Sequence, residues 1–178
     1  MELRPNFQIQ TVIKALKDVI LPAVDPGNKL ALEQGHLAIG HLTIVLHSLP
    51  LMYHYDRDEL SRFLTLGATL QQQATGLPGG ERVRGALADA MAAGADILEK
   101  TKAAPHDLEA ANFLLREKIG AMITALYAAS DAATLSGVAT AVLAHAQEQL
   151  LRERALLISQ GWEADPKSIP AIETLIGA

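Results

Sequence analysis

The chain has 178 residues, of which 49% are hydrophobic and only 4% aromatic, so a core of Leu, Ile, Val and Ala is expected and helix is favoured over sheet. A formal charge of −5 without any Lys/Arg stripe argues against nucleic acid as a partner. The absence of cysteine excludes disulfides, zinc-thiolate sites, iron–sulfur clusters and cysteine nucleophiles, and makes a reducing cytoplasm the expected compartment.

Residues 6–20 form the first expected helix, with Ile9, Val12, Ile13, Leu16 and Ile20 on one face. Pro22 and Pro26 then mark a kink or short loop, because each proline removes a donor and restricts its predecessor. The second helix, residues 26–49, is apolar on nearly every side and is expected to be the hub of the bundle. Its most apolar run, residues 37–52, is interrupted by His41, His47 and Pro50, and no membrane span is expected there. The opening ten residues carry no apolar run of the kind a signal peptide needs. Residues 50–55 read as a connector, and Asp56 with Glu59 as a capping box opening the third helix. The Gly/Pro-rich segment 75–80 separates this helix from a fourth, which runs to about residue 100. Pro105 opens a fifth helix ending near residue 129. Ser130 or Asp131 caps a sixth, and Gly161 is its left-handed terminator, with Trp162 expected to fold back on Leu157 or Ile158. Residues 165–178 form a tail that either docks on its own bundle or reaches another subunit. The pattern gives an all-α, single-domain bundle of five to six mostly antiparallel helices over residues 1–164, followed by that tail.

Three of the six histidines, His36, His41 and His47, lie on the apolar second helix. His36 and His47 point the same way but sit about 16 Å apart along the axis, too far to share one metal ion. Hydrogen-bonded core or boundary histidines are the plainer expectation. Glu33 and His36 make one E-x-x-H pair of the kind di-iron bundles use twice, but His145 and Glu148 run in reverse order, and no second pair exists. A looser mononuclear site would draw on Glu33, His36, His145 and Glu148, but no metal or cofactor is expected. The cluster Tyr53, His54, Tyr55 and Arg57 is the most polar-aromatic patch and the candidate binding surface. His36, His41 and Trp162 are candidates for an apolar pocket or interface, since an Ala/Leu/Gly-rich bundle leaves room between helices. Arg82 and Arg84 beside the Gly76–Gly80 turn match neither a P-loop nor a dinucleotide fingerprint, and no serine lies in a nucleophile elbow.

Arg4-Pro5, the amphipathic first helix, Val19-Ile-Leu-Pro-Ala-Val-Asp25, Leu37-Ala38 and Leu42-Thr-Ile-Val-Leu46 together resemble a group of small bacterial helical proteins whose genes neighbour those of acyl-CoA dehydrogenases and kinase-like phosphotransferases. The resemblance covers the first 50 residues or so. It implies an accessory role near acyl-CoA metabolism and carries over no catalytic residue. Taken together, the sequence points first to a non-catalytic interaction protein, self-associating or serving as an accessory subunit. The alternative is a binder of a small apolar ligand, and third comes a carboxylate–histidine metal enzyme.

Overall fold

The computed structural model describes residues 3–177, and among them there are seven helices and no strand. Helix α1 is α-helical over Pro5–Ala15, widens to a π turn over Leu16–Ile20 and closes with Leu21–Ala23. The loop expected between Pro22 and Pro26 begins only after Ala23, so the helix carries through Pro22. A proline ring collides with the carbonyl four residues back, here that of Asp18, and the wider turn moves that carbonyl aside. The Leu21 N–H accordingly reaches back five residues to the Leu16 carbonyl. The chain turns only at residues 24–28, where Asp25 Oδ1 accepts from the Gly27 N–H at 2.8 Å.

Helix α2 is Lys29–Ser48, capped by Asn28, whose Oδ1 accepts from the Ala31 N–H at 3.1 Å. Helix α3 is Met52–Gln73, so the expected connector shrinks to a tight turn, with the Leu51 N–H on the Ser48 carbonyl. Asp56 and Glu59 therefore lie inside a helix and do not open one. The helix starts early because Tyr55 is buried and Tyr53 packs on the core, which rewards helical spacing from the first turn. Helices α4 (Glu81–Glu99), α5 (Pro105–Ala129) and α6 (Ala132–Leu157) follow. Pro105 stands at the start of α5 as expected. Asp131 is the residue that caps α6: its Oδ1 accepts from the Thr134 N–H at 2.8 Å, a bond that holds this carboxyl below the usual carboxylate range. After a 3₁₀ turn at Ile158–Gln160, Gly161 adopts φ 71°, the left-handed conformation only glycine takes without strain. A second 3₁₀ turn, Pro166–Ser168, leads to the short helix α7, Ile172–Ile176.

Contacts divide the chain into two compact units: Met1–Met52 with Arg152–Leu175, and Tyr53–Leu151 with Ile176–Ala178. The second unit holds the continuous core. Along α5, Leu108, Ala111, Leu115, Ile119, Met122 and Leu126 are buried at helical spacing. They meet Leu60, Phe63, Leu66 and Leu70 of α3 and Leu87 and Ala90 of α4. Gly94 of α4 lets this packing close, since a Cβ there would stand 3.3 Å from both Leu115 Cδ1 and Leu60 Cδ1.

The first unit is built differently. Helices α1 and α2 pack together at Gly35, where any Cβ would collide with the Leu21 side chain. Yet neither helix has a single buried residue. The expectation that α2 is the hub is thus corrected, and α5 takes that place. An apolar helix becomes a hub only when neighbours cover it on several sides, and α2 is not so covered. Within its unit it packs against α1 and the 3₁₀ turn Ile158–Gln160. Ile169 and Ile172 are buried, so this part of the tail lies against its own chain.

Candidate functional site

In the first unit, α2 stands as a ridge between two grooves. One, of about 580 Å³, runs from Lys29 and Glu33 past His36 and Leu37 to Ile44, and its far wall is Gln160 and Trp162. The other, of about 610 Å³, is lined by Lys17, Asp18 and Leu21 of α1 and by Leu32, His36 and Ile39 of α2. Both are mainly apolar, and His36 belongs to both. The sequence periodicity explains why: α2 carries apolar side chains all round, so whatever faces away from α1 still faces outward as Leu, Ile or Val. Leu30 is 67% exposed, Leu37 48% and Val45 45%, and Val19 and Ile20 of α1 are exposed as well.

His36, His41 and Trp162 are thus brought to one groove, as the sequence suggested for a pocket or interface. Two details differ. His36, His41 and His47 are exposed, not core or boundary residues, because α2 itself is uncovered. Trp162 is 72% exposed and forms the groove's wall instead of folding back as a terminal staple.

The polar candidates in the second unit are largely committed to structure. Tyr53, His54, Tyr55 and Arg57 occupy the first turns of α3 and not a loop. Tyr55 is buried and its hydroxyl accepts from Gln149 Nε2 at 3.1 Å. Arg57 donates to the Leu98 carbonyl at 2.7 Å and the Lys100 carbonyl at 3.4 Å, tying off the C-terminal end of α4, where cations are favoured. Its guanidinium also lies 6.0 Å from the Tyr53 ring centre. Of the four, His54 is the one left exposed, against the edge of Tyr53.

His145 and Glu148 line a groove of about 330 Å³ with Arg62, Thr65 and Thr69. Arg62 bonds Asp58 and Glu148 together, so the charges of this groove satisfy one another. His145 packs on Phe63 with ring centres 5.2 Å apart. Glu33 and His36 belong to the α2 grooves instead. Among the described residues, no group of three His, Cys, Asp or Glu side chains is placed to hold a metal ion.

A cluster that the sequence reading missed joins α3 to α5. Glu59 is buried and bonded to Arg116 at 3.3 Å, Asn112 Nδ2 donates to the Asp56 carbonyl at 2.9 Å, and Glu109 completes a cavity of about 120 Å³. The spacing D-x-x-E on α3 and E-x-x-N-x-x-x-R on α5 was its visible signal. Burial, then the charges of Glu59 and Glu109, push the Asp56 carboxyl up from 3.8 to about 6. A carboxyl raised on folding binds its proton more tightly in the folded state. Asp56 therefore costs stability as pH rises from 3.8 to about 6, and protonation below that window relieves the cost.

No family model, curated protein or solved structure matches this chain.

Proposed function

We propose that the chain is a non-catalytic interaction protein that binds its partner through the α1–α2 face. The observation that carries this reading is that a 20-residue apolar helix, α2, buries none of its residues. Contiguous exposed apolar surface of this extent marks a binding surface in a stable protein, since water contact with it is unfavourable at about 25 cal/mol per Å². In the second unit Arg57, Tyr55 and Arg62 each bond to another element, so these side chains are committed to holding the fold. The N-terminal resemblance adds an accessory role near acyl-CoA metabolism.

A second reading, a site for a small apolar ligand, is favoured by the 580 Å³ groove, whose volume falls in the range of small-molecule pockets. In that case His36, His41 and Gln160 supply the polar handles.

Replacing Leu30, Leu37 and Val45 together with Gln tests the first reading. All three side chains are exposed, so the folded monomer should lose no more than about 0.5 kcal/mol per site. Light scattering should show native association abolished, with the circular dichroism of the helices unchanged. A native chain that scatters as a monomer, combined with a triple variant that loses its cooperative melting, would place these side chains in a core and overturn the reading.

A further inference from the structure

We infer that the partner on this face is a second copy of the same chain, the two α1–α2 hairpins packing across a twofold axis into a four-helix bundle. This rests on the reading that the face is an association surface, and adds the identity of what covers it.

Shape comes first. A ridge flanked by two troughs is the surface that helices use to pack on one another, ridge into groove. A twofold axis lets the same patch serve as both ridge and groove.

The charges of the face suit the same pairing. The groove walls carry Lys29 with Glu33 on one side of α2 and Lys17 with Asp18 on the other. Each trough therefore has one cation and one anion among apolar neighbours. Residues 1–52 as a whole hold four Lys/Arg and four Asp/Glu, so the formal charge of −5 is carried elsewhere in the chain. Such a surface meets its own copy without repulsion, and reversed orientation brings unlike charges together. A strongly charged partner finds no matching stripe here, and neither does an anionic membrane, which recruits clustered Lys and Arg.

Its size does so too. Helix α2 is about 30 Å long, and two helices side by side span about 20 Å, a footprint on the order of 600 Å². Accessible area exceeds the flat footprint, and stable dimers bury about 800 Å² on each partner.

The test uses sedimentation of the full-length chain, the single variants Lys29→Glu and Glu33→Lys, and their equimolar mixture. The native chain is expected to sediment as a dimer. Each variant alone places like charges across the axis twice and should dimerise roughly tenfold more weakly. Mixing them should restore native strength, because each reversed chain then presents the sign its partner lacks. Rescue by mixing is specific to pairing of this face with itself. Weakening without rescue would overturn the inference, and so would a native chain that stays monomeric to high micromolar concentration. For a monomer, amide exchange along α2 separates the two levels of the claim. Fast exchange leaves an open association face and removes only the self-pairing, whereas slow exchange shows a helix stable alone and removes both. A monomer that co-sediments with phosphatidylserine vesicles assigns the face to lipid and overturns the pairing.

Discussion

Leu115→Ala is expected to destabilise the second unit by about 3–4 kcal/mol, measured as a shift in its denaturant midpoint at unchanged slope. Leu115 is fully buried at the centre of α5, in the core cluster that also holds Leu60 and Leu87. Removing its branched end forfeits the transfer energy of three carbons and leaves a void that close-packed neighbours cannot fill. The same truncation at Leu37, on a helix without a buried residue, should change monomer stability by less than about 0.5 kcal/mol. Equal costs at the two positions would contradict the assignment of α5 as hub and α2 as surface.

Gly94→Val should cost about 2–3 kcal/mol, through overcrowding where Leu115→Ala leaves a void. A Cβ at Gly94 already stands 3.3 Å from Leu115 and Leu60 and 3.6 Å from Leu64, so branched methyls must displace the contact that seals α4 on α5. Gly85, two and a half turns earlier on the same helix, has nothing within 4 Å of its Cβ position. There Gly85→Ala should instead stabilise by about 0.5–1 kcal/mol, because alanine loses less backbone freedom on forming helix. Thermal unfolding of both variants reads the opposite signs. Stabilisation by both would show that helix propensity, and not proximity, governs the Gly94 position.

Much of the architecture was legible because α-helical periodicity and punctuation agree. Pro105 opens α5, Asp131 caps α6 and Gly161 ends the following turn in the left-handed conformation, each as its residue type requires. The errors share a cause. Local signals give the intrinsic preference of a segment but not what lies beside it. The loop read between Pro22 and Pro26 starts later than expected, because a π turn over Leu16–Ile20 carries the helix through Pro22 to Ala23. Asp56 and Glu59 read as a cap, but burial of Tyr55 one residue earlier pulls the helix start back to Met52. The short tail helix α7 brings the count to seven, above the five or six expected.

The largest difference concerns α2. All-round hydrophobicity says that a helix wants cover, and the step from there to hub of its own bundle assumes the cover comes from the same chain. The described residues leave α2 as a ridge with no buried residue, which is why the proposed association surface is placed there. For the same reason the groove uniting His36, His41 and Trp162 was only partly visible. His36 and His41 share a helix, but Trp162 arrives from the far end of the chain through the turn at Gly161, a placement no spacing rule encodes.

The chain's single tryptophan makes that groove directly observable. Trp162 lines it and is 72% exposed in the isolated chain, so its emission and its quenching by acrylamide report whether the face is covered. As protein concentration rises through the micromolar range, the emission maximum should move to the blue and quenching should fall, in step with the dimer fraction. In a chain carrying Leu37→Glu, Trp162 should stay red-shifted and fully quenchable throughout. Trp162 that remains equally open to water and quencher at every concentration of the native chain would contradict the claim that this face is covered by a second copy of the chain.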